Sequence, residues 1–190
     1  MPRKADGSAR ERILRVASQL FYQYGIQAVG VDRIIAESGV AKTTLYRYFS
    51  SKDDLVVAFL EERNQLFWEY FDIAVSKYPD DGRKQLLSVL GWIDELLVKP
   101  ECYGCPFLIT TSEFPQLDYP GHQVAIVHKK EMLQRLIKLA ENAGVPNGSQ
   151  LGKYLLLLID GAFSHRRLFG LSGFESNLKA AAEILINAQF

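Results

Sequence analysis

Ile34-Ile35-Ala36-Glu37-Ser38-Gly39-Val40-Ala41-Lys42-Thr43-Thr44-Leu45-Tyr46-Arg47-Tyr48-Phe49 reads as two short helices joined by a glycine turn. Ile34 and Ile35 supply the buried side of a helix that Gly39 can stop, because glycine tolerates the left-handed backbone of a sharp exit. Val40 plugs the turn into the core. Leu45 and Phe49, four apart, anchor the second helix on one side and leave Lys42, Thr43, Thr44, Tyr46, Arg47 and Tyr48 on the other. All six are hydrogen-bond donors. A helix with Lys, Arg, Thr and Tyr but no acid on its outer face suits the major groove, where phosphates flank the base edges.

The flanking segments extend this unit. Ser8-Ala9-Arg10-Glu11 has capping-box spacing, so a helix should start there; Ile13, Ala17, Leu20, Phe21 and Tyr24 follow at helical intervals, and Gly25 ends it. Beyond the recognition helix, Ser51-Lys52-Asp53-Asp54-Leu55 restarts a helix, with Ser51 as cap and two acids in the first turn.

These signals, in this order over roughly the first third of the chain, closely resemble the TetR family of transcriptional regulators. The resemblance implies an all-α fold with an N-terminal three-helix DNA-binding head containing the helix-turn-helix, and a C-terminal helical ligand-binding and dimerisation domain. The division falls at 8–54 and 55–190, with a long connecting helix starting at about 51. A homodimer on a double-stranded DNA operator and a small-molecule effector are the implied partners, with repression more expected than activation. Lys42, Thr43, Thr44 and Tyr46 are assigned to base edges or adjacent phosphates, and Arg47, Tyr48 and Lys52 to the backbone. Two positions depart from the family pattern. Ala41 stands where Ser is usual, removing a side-chain cap worth about 1 kcal/mol. Thr43 stands where Gly is common, so operator sequences do not carry over from relatives.

Charge follows the same division. Residues 1–52 hold nine bases, Arg3 and Lys4 among them, and four acids including Asp6, a net +5; the chain as a whole is neutral, so residues 53–190 carry −5. A basic head on an acidic body fits nucleic-acid binding better than the neutral total suggests.

Breakers place the remaining helices at Ser51 to about Tyr78, Arg83–Val98, Phe107–Phe114, Gly121–Ala143, a helix capped by Ser149 and running to Phe169, and Glu175–Ala188. In the last two, Leu151, Leu155, Leu158, Ile159 and Ala162 form one apolar stripe, and Leu178, Ala181, Ala182, Leu185 and Ile186 another. Periodicity allows each stripe to bury against its own domain or against a second subunit. The resemblance favours the dimer. In such regulators the C-terminal helices enclose a small-molecule pocket, for which Trp92, Tyr103, Phe107, Phe114, His128 and Tyr154 are candidate linings that combine aromatic faces with polar tips. No acidic or basic cluster accompanies them, which points to a largely apolar effector.

Cys102-Tyr103-Gly104-Cys105 holds the two cysteines. Zinc would need about four ligands, and His122, His128 and His165 show no partner spacing, so neither metal nor cofactor is expected. The pair reads as reduced thiols in a loop, with a redox-responsive regulator as the alternative. Gly104-Cys105-Pro106-Phe107-Leu108 with Glu113-Phe114-Pro115 resembles a short pattern of some TetR-type effector domains. No G-x-S-x-G, H-E-x-x-H, P-loop or G-x-G-x-x-G pattern is present, which argues against an enzyme. An architectural DNA-binding protein without an effector would not need a second domain of this size. The longest apolar run, Leu155-Leu156-Leu157-Leu158-Ile159, is far below the roughly 18 residues of a membrane span. Residues 2–7 lack the apolar segment of a secretory signal, so a soluble, cytoplasmic protein is expected.

Overall fold

The computed structural model describes residues 8–189. The expectations resting on the charges of Arg3, Lys4 and Asp6 and on the apolarity of residues 2–7 lie outside the described residues, as does Phe190 at the end of the C-terminal domain. The described residues form helices and no strand.

α1 (Ala9–Tyr24) begins with the expected capping box: Ser8 Oγ accepts from the Glu11 amide at 3.3 Å and Glu11 Oε2 accepts from the Ser8 amide at 3.0 Å. Ile13, Ala17, Leu20 and Phe21 are buried. Tyr24 departs from that stripe; it is exposed and carries the Arg33 guanidinium 4.4 Å from its ring centre. α2 (Val31–Ser38) stops at Gly39, whose φ of 65° is left-handed and whose amide donates to the Ile35 carbonyl at 3.0 Å. Ile34 and Val40 are buried, while Ile35 is only half-buried. α3 (Lys42–Tyr48) is held by Leu45 and by Phe49 just beyond its end, both buried. Ala41 provides no side-chain cap. α1 packs on both α2 and α3, which closes the head.

α4 (Lys52–Ser76) starts at a second capping box between Ser51 and Asp54 and joins the head to the rest. Near its start Phe59 meets Phe21 of α1 edge-on at 5.9 Å, and farther along Trp68 and Phe71 are buried in the second domain. That core is built from α4, α5 (Gly82–Leu97) and α7 (Pro120–Asn142), which pack on one another, with α6 (Pro106–Glu113) laid on α7 and α4. α8 (Gly148–Phe169) runs along α7, and α9 (Leu178–Asn187) covers α5 and α8.

Two helix starts differ from expectation. α8 is capped by Asn147, whose Oδ1 accepts from the Gln150 amide at 3.1 Å, so Ser149 lies inside the first turn. α9 starts at Leu178 rather than Glu175, because the preceding segment is tied to α5: Ser176 Oγ donates to Asp94, which also accepts from the Lys179 amide at 3.4 Å.

The largest correction concerns the last two helices. Leu151, Leu155, Ile159, Leu178, Ala182 and Ile186 are buried within their own subunit, and Leu158, Ala162, Ala181 and Leu185 are half-buried. Leu151, Leu155, Leu178 and Ala182 therefore cannot form a seam with a second chain. The apolar side chains left uncovered sit one face round: Leu157 is 70%, Leu168 74% and Ile184 71% exposed. Tyr154 shares this face, and a methyl group placed on Gly161 would meet nothing within 4 Å.

Candidate nucleic-acid interface and internal cavity

On α3, Lys42, Thr43, Tyr46, Arg47 and Tyr48 are exposed and Thr44 is half-buried. Burial of Leu45 and Phe49 dictates this presentation. Lys42 Nζ lies 3.4 Å from Asp32 Oδ1, but both side chains are largely exposed and such a pair contributes little, so the lysine is available. The Arg47 guanidinium rests 5.0 Å from the Tyr48 ring centre. Lys52 is half-buried and has a partner within the chain. Its ammonium donates to the Ile26 carbonyl at 2.6 Å, and burial lowers its pKa. Here Lys52 ties the start of α4 to the turn after α1.

The head is fastened to the second domain at several further points. Ser18 Oγ donates to Glu62 Oε2 at 2.7 Å, the Gln27 amide donates to Glu113 Oε2 at 2.7 Å, and the Tyr22 hydroxyl donates to the Gly104 carbonyl at 2.8 Å. Gly25 is required at this joint. Its φ of 92° lies in the region that favours glycine, and a Cβ there would stand 2.6 Å from Glu113 Oε1.

A cavity of about 280 Å³ opens directly behind the Tyr22 contact, walled by residues of α1, α4, α5, α7 and α8, by the start of α6 and by the loop leading into it. Of the expected linings it includes Trp92, Phe107 and His128. The other three fall elsewhere. Tyr103 packs edge-on against Tyr22 at 5.4 Å just outside the wall, Phe114 stacks on Tyr119 at 4.2 Å, and Tyr154 accepts from Gln150 Nε2 on the outer face of α8. His128 stacks on Phe107 at 3.7 Å, and its Nδ1 lies 2.8 Å from Asn64 Oδ1. Burial, then the nearby Lys129 charge, lowers its pKa to about 3, so the ring is neutral at physiological pH. With the carbonyl oxygen of Asn64 accepting, the proton sits on Nδ1 and Nε2 keeps its lone pair.

Tyr22, Arg63 and Phe67 also line the cavity and were not singled out in the sequence. A signal was present. Phe59, Arg63, Phe67 and Phe71 recur every four residues, which places a cation in the middle of an aromatic stripe. Both cysteines are on the wall as well, free and buried. Burial raises the Cys105 pKa despite the opposing pull of Lys129, so the thiol stays protonated. Among the described residues no group of three or more His, Cys, Asp or Glu side chains is arranged to hold a metal ion.

A two-helix reading unit with a basic, acid-free outer face, seated on a helical domain with an internal cavity, defines a DNA-binding transcriptional regulator. The sequence profile of the bacterial regulatory proteins of the tetR family matches residues 13–59, which run from α1 into α4. Similarity extends through the second domain. The crystal structure of SCO4454, a TetR-family transcriptional regulator from Streptomyces coelicolor, superposes with a TM-score of 0.90 at 31% identity over 95% of each chain. A putative TetR regulator (sav143) from Streptomyces avermitilis gives 0.82 at 27% identity, over 96% of this chain and 98% of that one. The uncharacterised HTH-type transcriptional regulator YxaF of Bacillus subtilis is 26% identical over 158 residues, 82% of this chain and 83% of its own. The chain belongs to the TetR family. Family members bind DNA and work as dimers. Among the described residues no helix is long and apolar enough to cross a membrane.

Proposed function

We propose that this regulator is a repressor that leaves a palindromic operator when a small molecule fills its cavity, and that α3 is the reading element. One observation carries the coupling: Tyr22 is at once a residue of the head and a wall of the cavity. A ligand that displaces the Tyr22 ring or breaks its bond to Gly104 acts on the head directly. The cavity also favours this reading over an architectural protein, which has no use for an aromatic-lined pocket.

DNA recognition is tested first on duplexes selected from a random pool. Arg47→Ala should weaken binding to all sequences alike and lower the slope of log affinity against log salt by about one. Thr43→Ala or Tyr46→Ala should instead relax the preference at particular base pairs. Lys52→Ala, given its bond to Ile26, should lower the thermal midpoint and leave the salt slope nearly unchanged. Substitutions of Lys42, Arg47 and Tyr46 that all leave affinity and selectivity intact would remove α3 from the interface.

A redox switch at Cys102 and Cys105 finds no support in two buried thiols, one of them held protonated. Operator affinity should be equal under reducing and mildly oxidising conditions, both in the wild type and in the Cys102→Ser, Cys105→Ser double variant. A reversible loss on oxidation that disappears in the double variant would establish redox sensing.

A further inference from the structure

Aromatic rings are prominent in the cavity wall, yet its polar chemistry is dominated by an unanswered cation. Arg63 Nε and Trp68 Nε1 are buried side-chain nitrogens without a hydrogen-bond partner among the described residues, and of these residues only Arg63 lines the cavity. The Arg63 guanidinium lies 4.5 Å from the Tyr22 ring centre and 5.7 Å from that of Phe59. Those rings fix its position but cannot satisfy its N–H groups. Its sequence neighbour Glu62 is turned away to the Ser18 hydroxyl, and no described carboxylate forms an ion pair with Arg63.

The other charged groups of the wall are accounted for. Lys129 is paired with Asp160, and Lys99 and Glu101 are exposed residues of opposite sign. His128 is neutral and presents a lone pair rather than a second cation. The wall therefore carries one uncompensated positive charge, in a partly desolvated setting where an unpaired donor is costly. A cationic ligand would be repelled by it. An uncharged ligand could offer the guanidinium only a neutral acceptor, which makes a weaker hydrogen bond than an anion and leaves the charge uncompensated.

We infer that the cavity takes a flat aromatic anion, a carboxylate or phenolate on one or two rings, with its negative group on Arg63 and its ring face against Phe67, Trp92 and Phe107. A cavity of about 280 Å³ suits a ligand of that size. This inference rests on the reading of the cavity as the effector site, and it replaces the largely apolar effector expected from the sequence with an amphipathic one. Because Arg63 stacks on Tyr22, a carboxylate that draws the guanidinium inward also alters the support of a residue of the head.

The test is calorimetric titration of the full-length protein, without DNA, with 2-naphthoate and its uncharged isostere 2-naphthamide. Wild type should bind the acid at least tenfold more tightly than the amide. Arg63→Gln should bind both alike, and Trp92→Ala should weaken both by a similar factor. Equal wild-type affinities, a preference that survives in Arg63→Gln, or no binding by any of benzoate, 1-naphthoate and 2-naphthoate would overturn the inference. The wild-type comparison is decisive even if the Arg63 variant fails to fold. An acid that fills the cavity yet leaves operator affinity unchanged would overturn the effector reading and not the anion preference; acid and amide that bind alike but both release DNA would do the reverse.

Discussion

Leu157→Asp combined with Ile184→Asp should convert the dimer to monomers and weaken binding to a palindromic operator by at least a hundredfold, about 2.8 kcal/mol. Leu157 and Ile184 project from α8 and α9 into solvent in the isolated subunit. Their replacement therefore costs the subunit fold little. In a dimer that buries them, however, each subunit would trap two unpaired carboxylates in an apolar seam. Gly161, open on the same side of α8, lets a second helix approach closely. A monomer meets one half-site at a time and forfeits the effective concentration that links the two heads. Light scattering should give the single-chain mass while circular dichroism stays helical. A double variant that remains a dimer would move the interface off this face. A charge at Ala182, by contrast, would enter the subunit's own core and report on folding rather than on assembly.

Gly25→Ala should destabilise the protein by about 2–4 kcal/mol, since the backbone at φ 92°, ψ 155° is a region nearly closed to other residues and the new methyl also collides with Glu113. The collision has a functional consequence. Glu113 receives the Gln27 amide, so moving its carboxylate loosens the joint between head and second domain. Two readouts are expected in thermal melts and operator titrations: a lower midpoint, and an operator affinity that responds less to cavity ligands than that of the wild type. Unchanged stability would mean that the joint yields freely at Gly25, and the rigid coupling through α1 would lose one of its supports.

The head was legible in the sequence because its determinants are local. Gly39 had to stop α2, Leu45 and Phe49 had to turn inward, and Ser8 and Ser51 each had an acid three residues on to complete a capping box. The second domain was legible only as a series of helices between prolines and glycines. Which apolar stripe faced inward was not. Leu155 and Leu157 lie two residues apart on one helix, and only the way α7, α9 and α5 pack onto α8 decides that the first is buried and the second free. The cavity was still less accessible to sequence reading, because residues brought together from six helices and a loop share no single spacing. Trp92, Phe107 and His128 were found from their chemistry, whereas Tyr103, Phe114 and Tyr154 have the same chemistry but face other neighbours. Lys52 illustrates the same limit. Its charge suggested a phosphate contact, and only the folded chain shows the Ile26 carbonyl beside it.

Coupling between cavity and head is the central claim, and linkage tests it most directly. A small molecule shown by calorimetry to fill the cavity is added at saturation, and operator affinity is measured by fluorescence anisotropy. The affinity should fall at least tenfold, and saturating operator should weaken binding of the small molecule by the same factor, as reciprocity requires. A filled cavity with operator affinity unchanged would contradict the account.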